Sequence, residues 1–170
     1  MAYELIEHIE IGSGGAASIE FTSIPQDGVD LVCVMSGRST AAGQTFDYLD
    51  ITFNSDSGSN YGNIYLRGNG SSVTTADETA QSKLRAYFAT TASTATASTF
   101  GNGEIYISNY TSSSNKSISL NLVTENNNTQ AFQVLVAGSY TNTASISSIQ
   151  ASTTFGDLVE HSTASLYKVS

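Results

Sequence analysis

Residues 54–60 place oxygen-bearing side chains at alternate positions around a glycine, in the sequence NSDSGSN. Asn54, Asp56 and Asn60 are therefore candidate ligands for calcium, which takes about six to eight oxygen atoms. A calcium loop closes this set with a bidentate glutamate at its twelfth position, where this chain has Tyr65. The alternative is a polar turn made of the residues that turns favour, and we predict that the chain needs no metal and no cofactor.

Catalysis by acyl transfer needs a nucleophile, a base that takes its proton and a group that orients the base. The two histidines, His8 and His161, lie near opposite ends of the chain, and no serine stands in a nucleophile-elbow sequence. If the terminal strands pair, the histidines could meet, and Glu7 or Glu160 could complete a metal site. Their spacing is not a ligand motif, so we expect two surface histidines and a protein that is not an enzyme.

The remaining reactive side chains also favour structural roles. Cys33 is the single cysteine and lies within an apolar run, where a thiol behaves as a small hydrophobic group. No internal disulfide can form, so folding in a reducing cytoplasm is expected. The carboxylate pairs Asp27 with Asp30 and Asp47 with Asp50 flank predicted strands, and we expect both pairs to be solubilising surface charge.

Composition excludes several partners. The chain has 170 residues, six Lys and Arg against fifteen Asp and Glu, and a net charge of −9. Binding to nucleic acid depends on cationic contacts to phosphate, so no nucleic-acid partner is expected. No apolar run approaches the roughly 18 residues that cross a bilayer, and the acidic N-terminus lacks the pattern of a signal peptide. We therefore expect neither a membrane partner nor export by that route.

Short runs of alternating apolar and polar residues extend along nearly the whole chain, and this period of two indicates β-strands. The runs occupy residues 3–11, 18–24, 29–36, 46–54, 63–67, 84–89, 104–110, 116–124, 132–137, 144–151 and 164–169. Residues 1–170 are therefore predicted to form one all-β domain, an antiparallel β-sandwich of about ten short strands.

Several local features refine this prediction. The dense apolar run at 29–36 indicates a strand covered on both faces. A slip in the alternation at Leu49 fits a bulge, and residues 76–80 fit a short helical turn. Residues 90–99, rich in Ala, Ser and Thr, fit either an exposed loop, which we favour, or a strand with a thin face. Asn126 to Asn128 fit a hairpin connection. The predicted core consists of Phe21, Leu31, Cys33, Phe53, Phe88, Leu120, Leu122 and Val134.

Six segments resemble sequences that recur in small virion proteins of tailed bacteriophages, especially those of aquatic bacteria. They are ASIEFTSIPQD at 17–27, DLVCVMSGRS at 30–39, FNSDSGSNY at 53–61, ISNY at 107–110, ISSI at 146–149 and STASLY at 162–167. The resemblance spans nearly the whole chain, and its motifs are structural. It implies a virion structural protein made in the host cytoplasm, with the jelly-roll topology common among virion sandwiches.

Two locations on the virion fit this resemblance, the capsid shell and the tail. The first is a capsid decoration or cement protein that binds the major capsid protein or other virion proteins as a homo-oligomer, with a trimer favoured. Residues 1–11 would then form an anchoring strand. The second is a tail-appendage or fibre module that binds host glycans by stacking Tyr61, Tyr106, Tyr110 and Tyr140 on sugars.

Overall fold

The computed structural model describes residues 2–125 and 131–170, which form twelve strands in two antiparallel sheets. The predicted connection at Asn126 to Asn128 lies outside these residues. The strands are β1 (Tyr3–Glu10), β2 (Ser18–Phe21), β3 (Asp30–Gly37), β4 (Phe46–Phe53), β5 (Tyr61–Gly68), β6 (Val73–Gln81), β7 (Leu84–Thr91), β8 (Gly101–Ile107), β9 (Lys116–Glu125), β10 (Ala131–Tyr140), β11 (Ile149–Thr153) and β12 (Thr163–Val169). The predicted antiparallel β-sandwich is confirmed.

Eight of the strands pair as one long nested hairpin. The first strand pairs with the last, β1 with β12, and the nesting continues inward through β2 with β11, β3 with β8 and β4 with β7. These pairs alternate between the sheets, giving the orders β1-β12-β3-β8 and β2-β11-β4-β7. This nested pairing across two sheets is the jelly-roll arrangement.

Two hairpins are added to this jelly roll, and both extend the same sheet. Strand β9 pairs with β8, β10 pairs with β9, and β5 and β6 follow, so the larger sheet reads β1-β12-β3-β8-β9-β10-β5-β6. The smaller sheet, with four strands, packs on one face of the larger. The opposite face of the eight-stranded sheet, which we call the outer face, has no protein layer over it within the described residues.

The core between the sheets contains the inward-facing side chains of both. Seven of the predicted core residues are buried there: Phe21, Leu31, Cys33, Phe53, Leu120, Leu122 and Val134. Phe88 lies in β7, and its side chain is outside what the structure describes. These residues are buried because successive side chains of a strand point to opposite faces of the sheet. Along β9, every second residue from Lys116 to Thr124 is buried, while the residues between them face outward.

Three local predictions need correction. The prediction that β3 is covered on both faces holds for Leu31, Val32 and Cys33, which are all buried, but fails at Val34, which is 45% exposed on the outer face. Residues 76–80 are not helical but belong to β6, an edge strand that pairs with β5 and has few apolar side chains. The strand predicted at 144–151 begins later, at Ile149, and ends at Thr153.

The bulge is confirmed, and so is the loop, except that Thr90 and Thr91 belong to β7. The pairing of β4 with β7 shifts between Asp47 and Leu49. Strand β7 ends at Thr91, and residues 92–100 connect it to β8. The Arg38 guanidinium holds this connection by donating hydrogen bonds to the carbonyl oxygens of Thr96 at 2.9 Å and Thr99 at 3.1 Å.

The N-terminal strand lies within its own domain. Strand β1 pairs antiparallel with β12 from Tyr3 opposite Val169 to Glu10 opposite Thr163. Ile6 and Ile9 are half-buried and pack against the core. Within the predicted anchoring segment 1–11, residues 2–11 are thus an integral part of the sandwich, and deleting the segment would also expose an edge of β12.

The thiol of Cys33 should react only after unfolding. Burial raises its pKa to about 12, so both access and ionisation are suppressed in the folded protein. We expect a thiol reagent at neutral pH to label Cys33 at the rate of global unfolding, and denaturant to make labelling immediate. Rapid labelling of the native protein, measured by mass spectrometry, would contradict the burial of this strand.

Candidate functional site

The Asp56 carboxylate is the centre of a hydrogen-bonded loop at one end of the sandwich. Its Oδ1 accepts a bond from the Gly58 amide at 2.8 Å. Its Oδ2 accepts bonds from the Asn60 side-chain amide at 2.8 Å, the Tyr140 hydroxyl at 2.9 Å and the Asn142 side-chain amide at 2.9 Å. These bonds, with the largest effect from Asn142, lower the pKa of Asp56 to about 2.

The other candidate calcium ligands also have protein partners. The side-chain oxygen of Asn54 accepts bonds from the backbone amides of Ser147 at 2.8 Å and Ser148 at 3.2 Å, and its amide nitrogen donates to the Ser145 carbonyl. A cation at Asp56 would have to displace amide and hydroxyl donors. Among the described residues no three His, Cys, Asp or Glu side chains are grouped as a metal site. The geometry is that of the polar turn, the alternative predicted from sequence.

Replacing Asp56 with asparagine should reduce stability by about 1–2 kcal/mol, because a charged acceptor of several hydrogen bonds becomes neutral and partly a donor. The folded-state pKa lies below the ordinary 3.8, so this contribution is present above about pH 4 and is lost as the pH falls towards about 2. The melting temperature measured from pH 2 to 7 should therefore depend less on pH in Asp56→Asn than in the wild type. The control Asp157→Asn should keep the pH dependence of the wild type. EDTA should leave the melting temperature unchanged, and a drop reversed by Ca²⁺ would contradict this account.

The two histidines lie near the paired terminal strands but have separate partners. The Nδ1 atom of His8 is 2.7 Å from the Ser165 hydroxyl. The Nδ1 atom of His161 is 2.9 Å from Glu10, which raises the pKa of this exposed histidine. The structure therefore does not bring His8 and His161 together with Glu7 or Glu160 as a ligand set.

Asp50 is not a surface charge, and that prediction is wrong. The residue is 5% exposed, and its carboxylate lies 2.6 Å from the Lys83 ammonium and 2.9 Å from the Arg85 guanidinium. Thr154 donates a further hydrogen bond. Burial opposes ionisation, but the bonds from Arg85, Lys83 and Thr154 outweigh it, so the pKa of Asp50 lies below its ordinary value. Sequence reasoning missed this network because its cations lie more than thirty residues away.

Asp47 is also buried, which again corrects the prediction of a surface carboxylate. Its side chain accepts bonds from the backbone amides of Tyr48 at 2.7 Å and Phe155 at 3.2 Å. Burial dominates here and raises the pKa of Asp47. The two carboxylates of this pair are therefore packed into separate structural networks, and neither faces an open cleft as a catalytic acid would.

The carboxylates of the other pair, Asp27 and Asp30, are closer to the predicted surface charges than Asp47 and Asp50 are. Asp27 is 68% exposed and binds the Lys168 ammonium at 2.9 Å. Asp30 is half-buried and accepts hydrogen bonds from the Tyr106 hydroxyl and, at 2.7 Å, from the Asn109 amide. Asp30 therefore joins the start of β3 to the end of β8.

Three of the four tyrosines predicted to stack on sugars are unavailable for that role. Tyr61, Tyr110 and Tyr140 are at most 1% exposed. The rings of Tyr61 and Tyr140 stack at 4.9 Å and pack against Phe53 in the core. Only Tyr106 is half-exposed, on the outer face.

A different group of rings, which we call the aromatic cluster, lies beside the edge strand β7 of the smaller sheet. Its members are Phe46, Tyr48, Tyr65, Tyr87, Phe132 and Phe155. The Arg85 guanidinium lies over the Tyr48 ring at 5.7 Å, and Phe155 is 53% exposed. The cluster joins the two sheets, because Tyr65 of β5 contacts Tyr87 of β7 at 4.2 Å.

The outer face has aliphatic side chains that no other part of the described chain covers. One row crosses five strands in register, from Leu66 through Leu135, Asn121 and Glu104 to Val34. Leu66 and Leu135 are each 49% exposed, and Ile64 in the adjacent row is 56% exposed. Ile64, Leu66 and Leu135 adjoin one another on the paired strands β5 and β10, and a contiguous exposed apolar patch often marks an interaction site.

A shallow groove of about 340 Å³ follows these rows. Ile64, Leu66 and Leu135 form its apolar wall, and Glu104 lies across from them. Ser119 and Asn121, which are short polar residues, lie between the two sides. Because β5, β9 and β10 are the strands added to the jelly roll, the groove is a product of the inserted hairpins.

Comparison of the chain with protein-family models, curated proteins and solved structures gives no match. Among the described residues, no helix is sufficiently long and apolar to span a bilayer. The sequence contains a further signal for the outer face, of the same kind as the dense apolar run at 29–36. Strands β5 and β10 have apolar side chains at both odd and even positions, which indicates that both faces of the sheet are to be covered.

Proposed function

We propose that this chain is a bacteriophage virion structural protein, most specifically a decoration or cement protein that binds the capsid shell through the outer face. The observation that supports this proposal best is the group of exposed aliphatic side chains on that face, Ile64, Leu66 and Leu135. A surface of this kind needs a protein partner, and the sequence resemblance to virion proteins suggests where that partner is.

The energetics fit a protein that binds in many copies. Burying the exposed halves of Ile64, Leu66 and Leu135 is worth roughly 1 kcal/mol for each side chain. Such a contact is weak alone, but it is multiplied when a symmetric oligomer contacts several shell subunits at once. A homotrimer is the oligomer that we favour, because shell surfaces repeat with local symmetry.

The N-terminal strand supplies a second element for attachment. Strand β1 pairs with β12 along one edge, and no described strand pairs with its other edge. Main-chain groups on that edge are free to extend a neighbouring sheet, whereas Glu4, Glu7 and Glu10 discourage indiscriminate pairing. We therefore propose the free edge of β1, rather than a detachable arm, as the anchor.

Copy number in purified virions tests the proposal directly. Quantitative mass spectrometry should find on the order of hundreds of copies, as expected for a protein that repeats with the shell lattice. A few copies to a few tens would indicate the tail, and absence from virions would exclude a virion role. Purified protein should also rebind capsids that lack it, with Leu135→Ser reducing the number of bound copies.

The aromatic cluster favours a second candidate function, a tail-appendage module that binds host glycans. Exposed rings stack on sugars, and Lys83 and Arg85 near Phe155 and Tyr48 could contact polar or acidic groups. Phe155→Ser and Leu135→Ser are reciprocal controls for the two functions. Shell attachment predicts that only Leu135→Ser weakens binding to capsids, whereas glycan binding predicts that only Phe155→Ser weakens binding to host cells and their purified surface polysaccharide.

A further inference from the structure

The outer face has a one-sided distribution of charge. Its acidic side chains include Glu10, Asp30, Asp77 and Glu104, which the strand register places on the same face as Leu135 and Val34. Glu104 is exposed and takes part in no hydrogen bond or ion pair within the described residues. Glu10 has His161 as a partner, but Glu104 presents its negative charge without a partner beside the apolar surface.

None of the six lysine and arginine residues lies on this face. Arg67 opposes Val134 and Lys168 opposes Leu31, so both are on the inner side of the eight-stranded sheet. Of the other four, Arg38 and Lys83 lie in connections and Arg85 lies in β7 of the smaller sheet. Lys116 is buried in the interior. Lysine and arginine are absent here because all six occupy other places in the fold, and the basic side chains at the face are His8, opposite Ser165, and His161, beside Glu10.

We propose that the groove binds a segment of a partner protein that has aliphatic side chains along its centre and a lysine or arginine beside them. The aliphatic groups would pack on Ile64, Leu66 and Leu135, and the cation would meet Glu104. Leu66 and Glu104 are three strands apart, a distance of roughly 14 Å, which accommodates one extended segment between them. The inference rests on the proposed function for the identity of the partner as a virion protein, but its chemistry follows from the face alone.

Charge also argues against the other occupants. A second copy of this chain stacked through the same face would bring its own Glu104 and Asp77 against those of the first, at a net charge of −9 for each molecule. Nucleic acid and anionic bilayers would meet the same repulsion. A partner of opposite charge gains attraction as well as apolar contact, which favours encounter and fixes its orientation.

Two synthetic peptides of about 10 residues, the length of a long strand, test the inference. One alternates leucine with lysine and the other alternates leucine with glutamate, and calorimetry measures their binding to the full chain at low salt. We expect the leucine–lysine peptide to bind at least about 10-fold more tightly than the leucine–glutamate peptide. Equal affinities, or no binding of either peptide at about 1 mM, would overturn the proposal.

Three variants locate the binding. Glu104→Gln should weaken the leucine–lysine peptide about 3- to 10-fold, and the double variant Leu66→Ser with Leu135→Ser at least about 10-fold. Glu20→Gln removes the same charge from the smaller sheet and should change affinity less than about 2-fold. An equal effect of Glu20→Gln and Glu104→Gln would mean non-specific attraction, contrary to the inference.

Sedimentation velocity separates this outcome from self-association. If the wild type forms oligomers that Leu135→Ser dissociates, the occupant of the groove is a second copy, and the proposal is wrong. The peptide results and the virion copy number are independent readouts. If the protein binds the peptide selectively but is absent from virions, the groove chemistry is retained and the proposed function is wrong. If it is present in virions but shows no peptide selectivity, the proposed function is retained and the groove chemistry is wrong.

Discussion

Replacing Lys116 with methionine should destabilise the protein by roughly 2–4 kcal/mol, because it removes the donor for a set of carbonyl oxygens. The Lys116 side chain is 1% exposed, and its ammonium group donates hydrogen bonds to the carbonyls of Ser112, Ser114, Thr143 and Ala144 at 2.7–3.3 Å. These carbonyls belong to two separate connections, so a single side chain holds both. Methionine fills a similar volume but donates no hydrogen bond.

Denaturant unfolding followed by circular dichroism measures this loss, with Lys83→Met as the matched control. Lys83 is 39% exposed, and its partner Asp50 keeps the bond from Arg85 after the substitution. The control should therefore cost less than about 1 kcal/mol. Equal midpoints for Lys116→Met and the wild type would show that the carbonyls find other donors and that the buried ammonium is dispensable.

The positions of strands were predictable because most of them have one buried and one solvated face. Alternation of apolar and polar residues therefore locates them, as it does in β9. Strand β6 was missed for the same physical reason. It is an edge strand whose residues are nearly all exposed or half-buried, so burial imposes no alternation on its sequence.

The polar networks could not be predicted, because their partners are distant in the chain and are mainly backbone groups. No residue type signals that Lys116 will meet four carbonyl oxygens, or that the two oxygens of Asp56 will accept bonds from residues up to 86 positions away. Spacing alone made Asp56 resemble a calcium ligand, although its neighbours in the fold are donors. Charge and residue type set candidates, but topology decides whether a carboxylate meets a cation, an amide or solvent.

A matched pair of substitutions, Leu120→Ala and Leu135→Ala, should separate the two faces of the eight-stranded sheet. The residues lie on neighbouring strands, but Leu120 is 2% exposed in the core and Leu135 is 49% exposed on the outer face. Leu120→Ala should cost roughly 2–5 kcal/mol, because it leaves a cavity among packed side chains in addition to the lost burial. Leu135→Ala should cost less than about 1 kcal/mol, since water already contacts half of the side chain.

Chemical denaturation of the two variants and the wild type under identical conditions tests this difference in the free energy of unfolding. The same variants should rank in the opposite order for binding. Leu135→Ala removes part of the groove wall and should reduce capture of the leucine–lysine peptide. Any Leu120→Ala molecules that remain folded should bind it nearly as the wild type does, because the Leu120 side chain points into the core. Similar losses of stability in both variants would mean that the outer face is covered within a single chain. The exposed aliphatic row would then be part of the fold's own core and not a surface for a partner.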